Sequence, residues 1–191
     1  GTFVINPSDT DRKDTITITN YNKVYDAQWH TIEVTGTVEG DQLTYSYDGG
    51  KTWTDKLETY KDVTEATVQI MVKVTNPNYS QAVVKPGNVT ITPKAVTVTA
   101  DNKSKKYGET DPDLTATAEG MLKDENGNLD KITYSTLVRE KGETVGTYEI
   151  TVTGAGVQGN YAVTFVPGTF TIEKADRPTD EDKALSVTDY S

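Results

Sequence analysis

The chain has 191 residues, a length that allows one large domain or two small ones. With 29 acidic and 19 basic residues, its net charge of -10 argues against nucleic acid as a partner. The absence of cysteine excludes disulfide scaffolds, thiolate zinc sites and cysteine nucleophiles. No apolar run approaches the roughly 20 residues that span a bilayer, and no signal-peptide pattern begins the sequence. We therefore expect any targeting signal or anchor to lie outside this segment.

Short runs of Val, Ile, Thr and Tyr alternate with turn signals at intervals of roughly 8–12 residues, which is typical of an all-β sandwich or barrel. In residues 15–19 (TITIT), for example, one face of the strand is apolar and the other polar. The strands predicted in chain order are 15–19, 31–36, 42–47, 66–75, 81–85, 88–92, 95–100, 113–119, 131–138, 147–153, 161–166 and 168–173.

Three turns are predicted from proline, glycine and asparagine. Residues 85–88 (KPGN) and 166–169 (VPGT) have the composition of tight hairpin turns, and Asn126-Gly127 is a further hairpin signal. No segment has a long helical period, although residues 55–66 could hold one helical turn.

An internal repeat organises the chain. Residues 23–25 (KVY) recur 82 positions later as 105–107 (KKY), and the pair Asn78-Tyr79 recurs 82 positions later as Asn160-Tyr161. Residues 86–91 (PGNVTI) match 167–172 (PGTFTI) at a spacing of 81. Three matches in the same order at nearly one spacing indicate two homologous modules of about 80 residues.

The two ends of the sequence match the interior at a longer spacing. Residues 1–5 (GTFVI) resemble 168–172 (GTFTI), and residues 183–191 resemble 14–22. The domains that we predict are a closing strand of a preceding repeat plus linker at 1–13, a first repeat at 14–93, a second repeat at 94–175, and an acidic linker with the opening strand of a following repeat at 176–191. The names first repeat and second repeat are used below for these two segments.

The second repeat resembles a known family. It contains Lys105-Lys106-Tyr107-Gly108, Asp111-Pro112, Gly146-Thr147-Tyr148 and Asn160-Tyr161, a set that is similar to the MBG ("mostly β, glycine-rich") repeats of bacterial surface proteins. The first repeat resembles the bacterial Ig-like repeats that accompany them. The predicted fold class is accordingly all-β, with two tandem Ig-like β-sandwich modules arranged end to end and a β-grasp arrangement as the alternative for the second.

A motif in the first repeat suggests a different function at first sight. Residues 46–53 (SYDGGKTW) fit S-x-D-x-G-x-T-W and resemble the Asp-box of sialidase propellers. Those enzymes carry several such boxes on a longer scaffold, and the second repeat has none. We therefore predict a structural turn, in which Asp48 accepts backbone N–H groups, Gly49 and Gly50 adopt positive φ, and a mostly buried Trp53 packs over a hairpin between strands near Tyr47 and Lys51.

Catalysis is not expected. His30 is the single histidine, so a catalytic triad would have to use it, and no G-x-S-x-G motif accompanies it. It is predicted to be a surface or strand residue, and Trp29 is predicted to fill part of the core or a strand edge rather than to form a sugar platform. We predict no enzyme activity and no cofactor.

We predict no metal site, with one weak candidate for calcium binding as the exception. Asp124, Asn126, Asn128 and Asp130 place side-chain oxygens at alternate positions, as in calcium loops, but the bidentate glutamate of an EF-hand is missing because its position is Ser135. The alternative is a solvated hairpin turn with Asn126-Gly127 at its tip.

The function that we expect is structural. The resemblance implies a non-catalytic repeat segment of an extracellular bacterial surface protein, cell-wall anchored through a region outside this segment, which acts as a stalk for a distal adhesive or catalytic domain. The alternative is an adhesive module that binds host mucin-type glycans or a host protein directly. The expected partners are neighbouring repeats of the same chain and, in the adhesive alternative, a host glycan or protein, while the segment itself is expected to be monomeric.

Overall fold

The computed structural model describes residues 1–123 and 126–176. Within these ranges the chain forms fourteen β-strands and no helix, which confirms the prediction of an all-β fold. In the same ranges, no helix is long and apolar enough to cross a membrane.

The first repeat is built from two sheets. Its strands are β1 (Thr17–Thr19), β2 (Tyr21–Val24), β3 (Glu33–Thr35), β4 (Gln42–Ser46), β5 (Val68–Thr75) and β6 (Val83–Thr92). One sheet has the order β2-β6-β5-β4, and the other consists of β1 and β3. The pairing of β2 with β6 is parallel, whereas the other pairings are antiparallel.

The second repeat also has two sheets. Its strands are β7 (Lys94–Ala100), β8 (Lys103–Lys106), β9 (Ala116–Glu119), β10 (Thr136–Arg139), β11 (Gly146–Thr153), β12 (Val157–Gln158), β13 (Tyr161–Val166) and β14 (Gly168–Glu173). The sheet orders are β10-β11-β14-β8 and β12-β13-β7-β9. The second repeat is therefore a β-sandwich, and not the β-grasp alternative.

Strand pairing repeats with the same spacing as the sequence. In the first repeat, β2 and β6 pair in parallel with Tyr21 opposite Val89, and in the second, β8 and β14 pair in parallel with Lys103 opposite Phe170. Two asparagines precede these strands: Asn20 accepts a hydrogen bond from the backbone N–H of Asn88, and Asn102 accepts one from Thr169. Each element of this arrangement recurs 81 or 82 residues later, so the two repeats share this strand arrangement.

The prediction of a hairpin turn at residues 85–88 is wrong. Strand β6 runs without interruption through these residues, with Pro86 opposite Met71 and Gly87 opposite Ile70. Proline and glycine favour turns locally, but the antiparallel pairing of β6 with β5 holds the backbone extended here.

Gly87 is required by close packing between the two sheets. A Cβ atom at this position would lie 2.6 Å from Cγ2 of Ile18 and 3.0 Å from Cγ2 of Ile32. The equivalent glycine of the second repeat, Gly168, approaches the backbone of Ala100, whose carbonyl oxygen would lie 2.3 Å from an added Cβ. Because Ile18 and Ala100 are themselves 82 residues apart, the glycine of each repeat lies against the equivalent position of the other sheet.

Residues 166–169 do not form a hairpin either. Strand β13 ends at Val166 and β14 begins at Gly168, but β13 belongs to the sheet of β7 whereas β14 pairs with β11 and β8. The chain therefore changes sheet at Pro167, which cannot donate a ladder hydrogen bond. The Asn126-Gly127 turn is present, flanked by an antiparallel bridge between Lys123 and Leu129.

The cores consist of the inward-facing residues of alternating strands. Strand β5 buries Ile70, Val72 and Val74, and β14 buries Phe170 and Ile172 completely or nearly so. The other buried apolar residues come from most of the remaining strands and from segments next to them: Ile16, Tyr25, Ile32, Tyr45, Val83, Val89, Ile91, Val96, Val98, Ala100, Ile150, Val152, Tyr161 and Val163. The apolar and polar residues that alternate in the sequence are thus the buried and exposed residues of the strands.

Three short strands were not predicted. These are β2, β8 and β12, which have four, four and two residues and are rich in polar side chains. The predicted strands at 81–85 and 88–92 are one strand, β6. Residues 1–5 form no strand, and Phe3 and Ile5 are 87% and 82% exposed, so their role as a closing strand stays a prediction. The predicted opening strand at 183–191 lies outside the described residues.

Contacts divide the chain into two compact units. Unit 1 comprises residues 1–96, 120–132 and 156–163, and unit 2 comprises residues 97–119, 133–155 and those from 164 onwards. Unit 1 therefore contains the whole first repeat together with three segments of the second.

The substitution Gly87→Ala tests the close approach of the two sheets. Because the added methyl group would overlap the branched side chains of Ile18 and Ile32, we expect the free energy of unfolding to fall by about 1–3 kcal/mol. Urea unfolding monitored by circular dichroism measures this change.

Gly156→Ala is the matched control. Gly156 is exposed, has an ordinary φ, and an added Cβ would meet only the carbonyl oxygen of Val163, at 3.9 Å. We expect this variant to be as stable as the wild type or slightly more so, because alanine restricts the unfolded chain. Equal stabilities of the two variants would contradict the proposed packing role of Gly87.

Candidate functional site

An exposed tryptophan distinguishes one surface of unit 1. Trp29 is 66% exposed, so the prediction that it fills the core or a strand edge is wrong. It follows strand β2 in a loop without regular secondary structure. The adjacent His30 is half-buried, and its ring stacks on Tyr21 with the centroids 4.0 Å apart.

The loop that carries Trp29 has a strained backbone. Ala27 has φ of +63°, and among the described residues it is the one non-glycine residue with positive φ. Asp26 holds the loop in this conformation, because its Oδ1 atom accepts a hydrogen bond from the backbone N–H of Gln28 at 2.9 Å and contacts Nε2 of His30 at 2.8 Å. The His30 contact lowers the pKa of Asp26. A left-handed alanine persists only where its surroundings enforce it.

Trp29 borders a cleft of about 520 Å³. This volume lies within the roughly 300–1,000 Å³ that is usual for small-molecule sites. The lining combines two aromatic rings with Trp29, five charged side chains, two amides and two small residues: Tyr25, Tyr161, Lys61, Asp62, Lys123, Asp130, Lys131, Gln158, Asn160, Ala27 and Gly159.

Asn160 and Tyr161 form the floor of this cleft. Asn160 donates a hydrogen bond from Nδ2 to Asp62 and accepts one at Oδ1 from the backbone N–H of Val63, both at 2.8 Å. The buried Tyr161 ring meets the ring of Tyr25 edge-on, with the centroids 5.7 Å apart. Both polar atoms of the Asn160 side chain, Oδ1 and Nδ2, thus have hydrogen-bond partners, which makes the floor rigid.

The calcium candidate is only partly described. Asp124 lies outside the described residues, and the Oδ2 atom of Asp130 accepts a hydrogen bond of 2.5 Å from the Tyr161 hydroxyl. Burial and this bond together raise the pKa of Tyr161 to about 12. Asn126 and Asn128 each have interactions of their own. In residues 1–123 and 126–176, no three His, Cys, Asp or Glu side chains cluster as metal ligands would.

The Asp-box residues form a turn that contributes nothing to the lining of the cleft. Asp48 accepts hydrogen bonds from the backbone N–H groups of Lys51 and Thr52 and from the hydroxyls of Ser46 and Thr52, at 2.6–2.9 Å. These bonds, that of the Thr52 hydroxyl above all, hold the pKa of Asp48 well below its usual range. The motif therefore organises a loop.

The rest of the turn differs from the prediction in two ways. Gly49 and Gly50 have φ of +75° and +91°, but β4 ends at Ser46 and no strand begins at Lys51. An isolated bridge between Tyr45 and Thr54 replaces it. Trp53 is half-buried rather than mostly buried. Its indole N–H donates a hydrogen bond of 3.0 Å to the carbonyl oxygen of Gly50, and its ring lies 5.5 Å from the ammonium group of Lys73.

A buried ion pair anchors another loop of unit 1. The guanidinium group of Arg12 bonds to both carboxylate oxygens of Asp41, at 2.5 and 2.6 Å, and the two side chains are only 8% and 2% exposed. Asp41 also accepts hydrogen bonds from Val38 N–H and Asn76 Nδ2, and the ring of Tyr79 covers Arg12. These donors, Arg12 above all, hold the pKa of Asp41 well below its usual range.

A charged network in unit 2 explains the K-x-Y-G and Asp-Pro motifs. Lys105, at the end of β8, contacts Asp111 at 2.7 Å and Glu143 at 2.5 Å, and Arg139 bonds to the same two carboxylates. The guanidinium group of Arg139 also lies 4.8 Å from the ring centroid of the core residue Phe170. The hydrogen bonds of Arg139 and Lys105 lower the pKa of Asp111 to about 2. The motif residues therefore connect loops to the core.

The comparisons agree with the sequence on the second repeat. Residues 96–171 match the model of the MBG domain (YGX type), and this range contains Tyr107-Gly108 and the charged network. No curated protein matches the chain.

Two solved structures of Dscam are among those that match the chain. The first is the crystal structure of the N-terminal four Ig domains of Dscam1 isoform 4.44, with 11% identity over 83% of this chain and 44% of that chain, and a TM-score of 0.27. The second concerns the structural basis for Dscam isoform specificity, with 13% identity over 87% of this chain and 45% of that chain, and a TM-score of 0.24. The chain spans less than half the length of either structure.

Sequence reasoning did not find the cleft. Its residues come from the loop after β2, from residues 61–62, from Lys123, and from residues 130–131 and 158–161, so no local spacing marks them. The repeated Asn-Tyr pair was the available signal, because Asn160 and Tyr161 form the floor.

The substitution Asp48→Ala tests the structural role of the Asp-box turn. Because two backbone N–H groups and two hydroxyls lose their acceptor, we expect a lower Tm in differential scanning calorimetry. Asp55→Ala, an exposed aspartate in the same region, is the control and should leave the Tm unchanged. An unchanged Tm for Asp48→Ala would mean that water replaces Asp48 without cost.

Acid unfolding tests the Arg12–Asp41 pair. Because the pKa of Asp41 in the folded state lies below the unfolded value of about 3.9, the pair stabilises the protein above about pH 4 and loses this effect as the pH falls further. We expect Asp41→Asn to lower the Tm at neutral pH and to flatten the decline of the Tm below pH 4.

Asp113→Asn provides the comparison for this titration, since Asp113 is exposed. Its Tm should follow that of the wild type at every pH. A decline below pH 4 that is equally steep in Asp41→Asn and in the wild type would show that other carboxylates cause the acid sensitivity.

Proposed function

We propose that this chain is a non-catalytic repeat segment of an extracellular bacterial surface protein and acts as a stalk that presents a distal adhesive or catalytic domain. The MBG-type match of residues 96–171 and the recurrence of one strand arrangement in both repeats support this proposal. In the proposed stalk, the anchor to the cell wall lies in another part of the protein, and each repeat contacts its neighbours along the chain.

The hydrogen bonds of Asn160 are the observation that carries the proposal. Within unit 1, Asn160 of the second repeat binds Asp62 and Val63 of the first, and its carbonyl oxygen accepts a hydrogen bond from Lys94 N–H at 3.0 Å. Only Pro93 separates β6 from β7, and its ring fixes φ. A stalk needs such restricted junctions, because a flexible linker would not hold a distal domain away from the surface.

The Asn-Tyr pair of the first repeat has a corresponding position. The carbonyl oxygen of Asn78 accepts a hydrogen bond of 2.8 Å from Ser8 N–H, as that of Asn160 does from Lys94. The Tyr79 ring covers Arg12, which lies in the same incoming segment. In the proposed stalk, each Asn-Tyr pair therefore holds the segment through which the chain enters its repeat.

Direct adhesion is the second candidate function. The exposed Trp29 at the border of a polar cleft favours it, because an indole ring offers a large contact area to a glycan or a protein. In this alternative the chain itself binds a host glycan or host protein.

The substitution Asn160→Ala tests the stalk proposal. In the wild type, we expect amides of the first and second repeats to give one rotational correlation time in ¹⁵N relaxation. Loss of the two side-chain hydrogen bonds should cost about 1–3 kcal/mol and release the junction, so that the variant gives two separate and shorter correlation times.

Asn102→Ala is the matched control. The side-chain oxygen of Asn102 likewise accepts a hydrogen bond from a backbone N–H, that of Thr169, but this bond lies entirely within unit 2. It should lower stability without separating the correlation times. Two separate correlation times already present in the wild type would overturn the stalk proposal.

A further inference from the structure

We propose that the cleft beside Trp29 binds a saccharide that carries a carboxylate group. This inference identifies a ligand class for the second candidate function and rests on that function, while the stalk role does not depend on it.

Trp29 supplies the stacking surface for a sugar ring. A pyranose ring presents a face of C–H groups, which packs favourably against an aromatic ring, and Trp29 leaves two thirds of its surface free for such a contact. The strained conformation of Ala27 lies two residues before it, in the loop that Asp26 holds in place. Backbone strain of this kind is concentrated at binding sites, where it holds a side chain in a position that an unstrained loop would not give it.

The polar groups of the cleft are of the types that bind sugar hydroxyls. Asp62 and Asp130 have carboxylate oxygens already oriented by Asn160 and by the Tyr161 hydroxyl, respectively. Each carboxylate retains acceptor capacity, since an ionised carboxyl group accepts about four hydrogen bonds. A ligand with several hydroxyl groups can use these acceptors without moving the floor of the cleft.

The lysines of the cleft indicate the charge of the ligand. Lys61, Lys123 and Lys131 line it, and none of them has an ion pair with a described residue. The lysines outnumber the two lining aspartates, although the whole chain has a net charge of -10. A local excess of lysines that have no ion pair within the described part of the chain favours an anionic ligand, whose carboxylate their ammonium groups can bind.

An acidic peptide is the competing ligand class, and the geometry disfavours it. Peptides that bind to β-proteins commonly add a strand to a sheet edge, and their main chain needs a row of free backbone groups there. The edge strand that reaches the cleft, β12, has only two residues. A stacking ring surrounded by isolated polar side chains suits a sugar better than an extended main chain.

NMR titration of the full chain tests this proposal. The two tryptophans, Trp29 and Trp53, give two indole N–H signals, so Trp53 is an internal control in the same spectrum. The probes are 3′-sialyllactose and a hyaluronan tetrasaccharide, which carry carboxylates from two different sugars, lactose as the neutral counterpart, and hexaglutamate as an acidic peptide. We expect the Trp29 signal to shift with one or both acidic saccharides at millimolar concentration, and the Trp53 signal to stay in place.

Variants assign the binding to the cleft. Trp29→Ala should abolish binding, and the double variant Lys61→Gln/Lys131→Gln should weaken it at least about tenfold, which corresponds to the loss of two charge-assisted contacts. Lys51→Gln, an exposed lysine on the Asp-box turn, is the matched control and should bind as the wild type does. The double lysine variant keeps the proposal testable if Trp29→Ala does not fold.

Each contrary outcome has a definite meaning. Equal shifts with lactose would overturn the carboxylate assignment, and equal affinity for hexaglutamate would overturn the saccharide assignment. Unchanged binding in Trp29→Ala or in the double lysine variant would overturn the cleft as the site, and no shift with any probe would overturn the proposal as a whole. The relaxation experiment on Asn160→Ala contains no ligand, so failure here and failure of the stalk proposal are read from separate measurements.

Discussion

Both repeats depend on one close approach between their sheets. The closing strand of each repeat pairs in parallel with β2 or β8 in one sheet, and its glycine, Gly87 or Gly168, lies against the opening strand of the other sheet. An added Cβ atom would overlap the side chains of Ile18 and Ile32 at Gly87 and the backbone of Ala100 at Gly168, so the sheets come together where glycine stands. The inward-facing Val, Ile and Phe side chains then fill the space on either side.

Charged side chains hold loops that the small hydrophobic cores do not hold. A sandwich of about 80 residues buries a limited apolar area, and its long loops need other anchors. In unit 1 the Arg12–Asp41 pair holds such a loop, and in unit 2 Arg139 joins Asp111 and Glu143 to the core ring of Phe170. In both places several hydrogen bonds satisfy each buried charge, which is the condition under which such pairs persist.

Junction and cleft share the same residues. Asn160 holds Asp62 and Val63 through its side chain, and the same asparagine forms the floor beside Trp29. A rigid floor positions polar groups for a ligand, so the property that a stalk requires at this point is also the one that a binding site requires. The two proposed functions are therefore compatible in one chain.

The sequence by itself determined the all-β class, most strand positions and the repeat, because alternation and spacing are local properties that strands such as β5 and β14 express directly. It also indicated that the Asp-box is a turn, since Asp48 bonds to residues within four positions of it. Only the tertiary structure decided the role of Gly87, because the segment around it has the composition of a turn but is held extended by its pairing with β5. It also decided the cleft, because Trp29, Lys61, Lys131 and Asn160 are brought together by folding and no sequence spacing connects them.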